Sequence, residues 1–389
     1  MRTVGIGVLG TGSISEIAHF PSIAEIPEAR LAAVCDIDEA LAKKAAEKWG
    51  AEKCYKTYEE MLADPAVDLV VIATPNSGHY EQGIKAAEAG KHAIVEKPLA
   101  CTNKEAWDLV NIFKEKGLLL MVGTNQRFWL QHEYAKELIS SGVIGKVHFG
   151  RTSLHEGWGL YHEKISYTKF RQTPELAGAG AVFDLGAHRI DLLIWLMGSK
   201  PKRVCGFAKR VATPEQYTKL DDLYLAVIEF ESGDYGIVTG DRYSPAVSNI
   251  GEFYGEDGTI FVSSEAQNPF QTAPLAIFTN KDYDWETMPD IIKQYRHPQL
   301  FWAEDILNKP APKRWVTITP PREWAYKRMI AHFIDCIQND KVPMIRPEDG
   351  AIATEVMCAL FKSMEVNGWV DLPLEEEVIP PFYNPSYRR

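Results

Sequence analysis

The first 125 residues alternate short apolar runs with helical stretches of about 11 residues, and this rhythm restricts the chain more than any other feature. Val4–Leu9, Leu31–Cys35, Leu69–Ala73, His92–Val95 and Leu118–Val122 read as strands. Ser15–Glu25, Asp38–Trp49, His79–Ala89 and Lys104–Lys116 read as the helices between them, the third stopping at Gly90. Strands alternating with helices mean βαβ units and a parallel sheet. A strand as apolar as "LVVIA" fits burial on both faces.

The pattern changes after Gly123. Lys146–Leu154, Arg203–Lys209, Tyr224–Phe230, Tyr235–Thr239, Glu252–Tyr254 and Thr259–Val262 read as strands separated by turns such as Ser232-Gly233-Asp234 and Glu256-Asp257-Gly258. That predicts a mostly antiparallel sheet, interrupted by one helix over Asp184–Met197. Asn268–Pro321, rich in proline and aromatics, reads as long loops over a core. Arg322–Asn339 and Pro347–Asn367 read as closing helices. At 389 residues the chain is too long for one core. The break in rhythm predicts a first domain over 1–124 and a second over 125–389, the closing helices being placed to pack back on the first.

A formal net charge of −11 argues against nucleic acid and anionic membranes as partners. No run of about 18 apolar residues offers a membrane span. Cys35, Cys54, Cys101, Cys205, Cys336 and Cys358 are scattered without a C-x-x-C pair, which predicts reduced and mostly buried thiols. The first strand starts by Thr3 or Val4, leaving no room for a leader, so a cytoplasmic protein is expected.

Strand 1 runs into Gly10-Thr11-Gly12-Ser13-Ile14-Ser15, a G-x-G-x-x-S loop that opens a helix. Gly10 permits the tight turn, and Gly12 lets the backbone approach a pyrophosphate at a helix N-terminus. Asp36 ends strand 2, where a carboxylate accepts hydrogen bonds from an adenosine ribose and repels a 2′-phosphate. Neither Ile37 nor Asp38 supplies a cation for that phosphate. NAD is therefore favoured over NADP. The alternative for Asp36 is a cap on the next helix.

A second constellation lies in "FDLGAHRIDLLIWLMG", Phe183 to Gly198. Asp184 and His188 are four apart and share a helix face, with Asp191 one turn on, in otherwise apolar surroundings after Arg189. A carboxylate beside an imidazole can orient it as a base for a hydroxyl proton. A divalent ion could use the same residues, but H-E-x-x-H and cysteine clusters are absent, so no metal is expected. The third feature is "IVEKPLA", Ile94 to Ala100, where an apolar strand ends in a carboxylate, an ammonium and a proline.

Taken with "GVLGTGSIS", "VCDID", "IATPNSGHYEQGIKAAEAGKHAIVEKPLA", "FYGEDGTI" and "RPEDGAIATEVMCALFKSMEVNGWVDLP", these segments resemble the glucose–fructose oxidoreductase / inositol dehydrogenase (Gfo/Idh/MocA) family over most of the chain. The resemblance implies an α/β protein: an N-terminal Rossmann doubly wound parallel sheet, then a C-terminal α+β domain with a large, open, mostly antiparallel sheet. It implies NAD(P)-dependent oxidation or reduction of a sugar, sugar derivative or cyclitol, in a homodimer or homotetramer formed through the open sheet. Lys97 matches the family's catalytic lysine, and Asp184 with His188 the aspartate–histidine pair. Thr74, Asn76 and His79 match the cofactor-side loop, and Glu96 the residue near the nicotinamide ribose. Asn125 is assigned to the cofactor on the same grounds. Arg127 falls where several members contact substrate.

The loop over 155–170, "HEGWGLYHEKISYTKF", is long and aromatic. Trp158, Tyr161, Tyr167 and Phe170 are candidates to stack on a sugar ring, and His155 or Arg171 to meet hydroxyls, the alternative being ordinary packing or a subunit contact. Two other functions use the same fold. One is a glycosidase that oxidises, eliminates and reduces with a recycled NAD. The other is a non-catalytic NAD- or sugar-binding regulator, against which the intact Lys97, Asp184 and His188 argue.

Overall fold

A computed structural model describes residues 3–157, 166–263, 273–283, 286–295 and 315–387. The chain opens with β1 (Val4–Leu9), a π-helical turn (Ser15–His19), α1 (Phe20–Ala24), β2 (Ala29–Cys35) and α2 (Glu39–Trp49). Next come β3 (Lys53–Tyr55), α3 (Tyr58–Ala63), β4 (Leu69–Ile72), α4 (His79–Glu88), β5 (His92–Val95), α5 (Asn103–Glu115) and β6 (Leu120–Val122). These strands form one parallel sheet in the order β3-β2-β1-β4-β5-β6. Local chemistry sets the helix starts. Asp38 accepts from Ala40 N and Leu41 N to cap α2, and Thr57 and Thr102 form capping boxes with Glu60 and Glu105. The sequence reading lacked β3 and α3; a three-residue edge strand carries almost no periodicity.

The second half contains α6 (Leu130–Ser140), β7 (Val147–His155), a 3₁₀ turn (Ser166–Gln172), α7 (Pro174–Ala177), a π-helical turn (Val182–Gly186) and α8 (Ala187–Met197). It continues with β8 (Pro201–Lys209), β9 (Leu223–Phe230), β10 (Tyr235–Asp241), β11 (Ser248–Gly255), β12 (Gly258–Ser263) and β13 (Leu275–Thr279). Then follow α9 (Asp290–Tyr295), β14 (Val316–Ile318), α10 (Ala325–Asn339), α11 (Pro347–Val366) and β15 (Val370–Asp371). The sheet order is β14-β13-β12-β11-β7-β10-β9-β8-β15. Every neighbouring pair is antiparallel except β7 with β10. The expected long loops over 268–321 need correcting, because β13, α9 and β14 lie within them; these short elements extend an existing sheet or core, so they need little pattern of their own.

Two cores result. One surrounds the parallel sheet and takes in Met329, Ile330, Phe333 and Ile334 of α10. The other lies between α8, α11 and the inner face of the second sheet. Helix α11 touches α5, α8 and β8, and so joins the two cores. The C-terminal segment runs back over α5, with Val378 N donating to Asn103 Oδ1 and Tyr383 Oη to Glu105 Oε1. All six cysteines are free; Cys54 is exposed and Cys205 half-buried, the others buried. No helix among the described residues is long and apolar enough to cross a membrane.

Candidate active site

The site lies where strands β1, β2, β4 and β5 end at their carboxyl edge, the position at which parallel α/β sheets bind ligands. Gly10 has φ +91°, and a Cβ there would stand 2.5 Å from Ala73 O, so only glycine fits. A Cβ on Gly12 would meet nothing within 4 Å, which leaves that face of the loop open ahead of the helical turn that follows. The turn that carries Ser13 and Ile14 is drawn in by Ser15, whose Oγ donates to Gly10 O at 2.6 Å. Serine in place of the usual Gly or Ala thus holds the loop it belongs to.

Asp36 Oδ2 accepts from Thr11 N at 2.7 Å and Thr11 Oγ1 at 3.0 Å, while Oδ1 accepts from Asp38 N. The carboxylate stands at the end of β2 beside the glycine loop, and capping of α2 falls to Asp38 instead. These features fit a dinucleotide: a turn only glycine can make, an open backbone face and a carboxylate beside it at the end of β2.

The loop after β4 behaves differently from a row of exposed contacts. Thr74 Oγ1 donates to Gln82 Oε1, and Asn76 Nδ2 donates to Ala177 O at 2.8 Å. His79 is fully buried, its ring lying 2.7 Å from Pro98 O and 3.0 Å from Thr74 O. His79 therefore braces the two loops from behind, and burial holds it below its ordinary pKa.

Glu96 is buried, and its carboxyl packs against Gly123, where a Cβ would lie 3.0 Å away. His19 Nε2 meets Glu96 Oε1 at 2.9 Å. Burial pushes the Glu96 carboxyl up, but the His19 hydrogen bond and charge, with Lys97 beside it, hold it below the usual carboxylate range. His19 was missed in the sequence; its only signal is a polar residue four places after Ser15 on the helix that follows the loop. Asn125 lies just beyond β6, nearly buried, its N donating to Gly123 O.

Lys97 follows, with a cis bond to Pro98. Its Nζ donates to Asp184 O at 2.6 Å and lies 3.2 Å from Asp184 Oδ1. The sequence placed Asp184 and His188 on one regular helix. Asp184 instead belongs to the π-helical turn before α8, a wider turn that resets its direction relative to His188. Arg171 Nε lies 3.3 Å from Asp184 Oδ1 and Arg242 Nε 3.6 Å from Oδ2, so three cations surround this carboxylate. His188 Nδ1 is buried without a hydrogen-bond partner among the described residues. Burial, then the charges of Lys97 and Arg189, hold the imidazole well below its ordinary pKa, against the pull of Asp184. A neutral imidazole next to an ammonium can accept a proton and pass it on.

The remaining sequence candidates divide. Asp191 is paired with Arg127, whose Nε and Nη2 reach its two oxygens at 2.8 and 2.6 Å. Arg127 Nη1 reaches Asp349 Oδ2 at 2.8 Å, and the Arg127 side chain is 3% exposed. This fork lies between α8 and the start of α11, so both carboxylates that Arg127 meets are its own chain's. His155 ends β7 beside the end of β10, its Nδ1 2.6 Å from Asp241 Oδ2 and its ring half-buried. Trp158 and Tyr161 lie outside the described residues. Arg242 went unread in the sequence; its signal is a charge directly after an apolar strand, as in Glu96-Lys97.

Comparisons with known proteins identify the fold and the family. A family model described as an oxidoreductase family with an NAD-binding Rossmann fold matches residues 4–124. A second, the GFO/IDH/MocA C-terminal domain, matches residues 132–261. The scyllo-inositol 2-dehydrogenase (NAD(+)) of Bacillus subtilis (strain 168) is 28% identical over 382 residues, 96% of this chain and 97% of that one. The levoglucosan dehydrogenase of Pseudarthrobacter phenanthrenivorans is 30% identical over 302 residues, covering 70% and 77%. The crystal structure of an NAD-binding oxidoreductase from Klebsiella pneumoniae superposes with a TM-score of 0.76 at 26% identity, over 96% of this chain and all of that one. The chain belongs to the Gfo/Idh/MocA family of oxidoreductases, and its first sheet is that family's NAD-binding Rossmann fold.

Proposed function

We propose that this protein transfers a hydride between a nicotinamide and a secondary alcohol carbon of a sugar, glycoside or cyclitol. The observation that carries this reading is the contact of Lys97 with Asp184, with the buried His188 under the charge of both, at the sheet edge that also bears the glycine loop and Asp36. Relatives named for inositol and levoglucosan support the substrate class.

The Gly10–Ile14 loop would hold the pyrophosphate, Asp36 the adenosine ribose and Glu96 the nicotinamide ribose; the bound nicotinamide supplies or takes the hydride. NAD is preferred, since the Asp36 carboxylate disfavours a 2′-phosphate. In the oxidative direction His188 accepts the hydroxyl proton. Lys97 holds the same oxygen as it turns into a carbonyl, stabilising the developing negative charge. Asp184 anchors Lys97 and presents its carboxylate to a neighbouring hydroxyl. His155, oriented by Asp241, lines the substrate side.

The molecule is also proposed to pair with a second copy through the outer face of its second sheet. Phe149, Tyr254, Phe261, Trp315 and Phe278 form a continuous ladder of ring contacts there, with Tyr254 and Trp315 exposed. A self-complementary patch of this kind suits a two-fold contact.

The test is a panel of sugars, glycosides and inositols with NAD and NADP, followed at the reduced-nicotinamide absorbance. Substrate-dependent NADH formation supports the reading. Glycoside cleavage without net NADH would assign the oxidation–elimination–reduction glycosidase instead, and NAD binding without turnover across the panel would assign a regulator.

A further inference from the structure

Arg242 directly follows β10, and its side chain is 2% exposed, so almost none of it is open to a ligand. Its main-chain N–H donates to Asp222 O at 2.9 Å, fixing it to the segment before β9. Its Nη1 donates to Arg171 O at 3.2 Å, and its Nε faces Asp184 Oδ2 at 3.6 Å. One guanidinium therefore spans two of the segments that contribute charge to the site: the π-helical turn with Asp184 and the 3₁₀ turn with Arg171.

The two other carboxylates near Arg242 are held by main-chain donors. Asp221 accepts from Gly180 N at 2.7 Å and Val182 N at 2.9 Å. Asp222 accepts from Val211 N, Ala212 N and Thr213 N. Asp221 thereby also shapes the approach to the π-helical turn, while Arg242 acts on its carboxylate end. Lys97 and Arg171 approach Asp184 through Oδ1, and Arg242 faces Oδ2, so the carboxylate is gripped at both oxygens.

Stability alone accounts poorly for this arginine. Its Nε and Nη2 have no hydrogen-bond partner among the described residues although the side chain is buried. A buried guanidinium with unmet donors costs free energy, and an apolar side chain of similar volume is often as good or better for the fold. We propose that Arg242 is a positioning residue for the hydride-transfer reaction, holding Asp184 and, through Arg171 O, the adjacent turn, so that Asp184 keeps Lys97 aimed at the reacting oxygen. The inference rests on the proton-transfer reading of Lys97 and His188 given above.

The test uses the full chain with its best panel substrate. Arg242→Met should lower kcat by about 10²-fold, the scale of a small misplacement of a catalytic group, with KM within about threefold of the parent. NADH affinity and Tm should stay close to the parent values. Arg242→Lys should recover part of the lost kcat, because it restores the charge without the fork. Against Asp184→Asn, the double variant with Arg242→Met should be little slower than Asp184→Asn alone. Additive losses in kcat, or a fall in Tm with parental kcat in the folded fraction, would overturn the proposal. If Arg242→Met does not fold, Arg242→Lys decides: lowered kcat at parental KM supports positioning, and parental kcat overturns it. Lys97→Ala is run alongside. If it keeps parental turnover, the proton-transfer reading falls and this proposal with it; if it loses turnover while both Arg242 variants keep theirs, only the role of Arg242 falls.

Discussion

Lys97 Nζ donates to the main-chain carbonyl of Asp184 at 2.6 Å, which ties the end of β5 in the parallel sheet to the π-helical turn that precedes α8. The Asp184 carboxylate adds a second contact, with Oδ1 3.2 Å from the same ammonium. Replacing Lys97 or His188 by alanine is expected to lower turnover at least 10²-fold, the usual contribution of a positioned proton-transfer group. NADH binding, read by fluorescence, should persist in both variants. Parental turnover in both would dismiss the assignment.

The pH dependence follows from the environment of His188. Burial and the cations Lys97 and Arg189 lower its pKa, so the imidazole stays neutral further into acid than a free histidine. A base works only when unprotonated. The acid limb of kcat/KM for alcohol oxidation is therefore expected below about pH 6.5, the ordinary histidine value. A limb above it would show that the histidine is not held neutral in this way.

Arg127 is expected to matter for stability and not for substrate affinity. Removing it leaves the buried Asp191 carboxylate without its counter-ion, and breaking such a pair costs about 3–5 kcal/mol. Denaturant titration of Arg127→Met should show that loss, and kinetics on the folded protein should show KM near the parent. A raised KM at parental stability would return Arg127 to the substrate.

Cofactor preference should move with Asp36. The family includes relatives of both kinds, among them the scyllo-inositol 2-dehydrogenase (NADP(+)) IolW of Bacillus subtilis (strain 168). Two unit charges about 4 Å apart near a protein surface repel by up to about 4 kcal/mol. Asp36→Ser should therefore raise kcat/KM for NADP relative to NAD by at least tenfold. An unchanged ratio would place the discrimination elsewhere.

The aromatic ladder predicts an assembly. Phe261 and Trp315 stack with centroids 5.0 Å apart on the outer face of the second sheet. Trp315→Glu combined with Tyr254→Lys should yield a smaller species in sedimentation velocity. A parent that sediments as a monomer, or a variant that sediments as the parent does, would remove this face from the account.

Much of this was decided by local sequence. The strand–helix rhythm before Gly123 foretold the parallel sheet, because buried parallel strands must be continuously apolar and their crossover helices periodic. Gly10, Asp36 and Lys97 stand just past the ends of β1, β2 and β5, as their places in the sequence implied, whereas the Asp184–His188 spacing implied one regular helix and the fold has a π-helical turn at Asp184. The short elements β3, β13 and β14 were not, since a strand of three to five residues draws its stability from the neighbour it pairs with. The partners of charged residues were equally hidden: His19 for Glu96, Asp349 for Arg127, and Arg171 with Arg242 for Asp184 come from distant segments. Sequence set which residue types stand at the sheet edge. Only tertiary packing decided which charges face one another across it, because burial makes each charge depend on whatever partner the fold brings within a few ångströms.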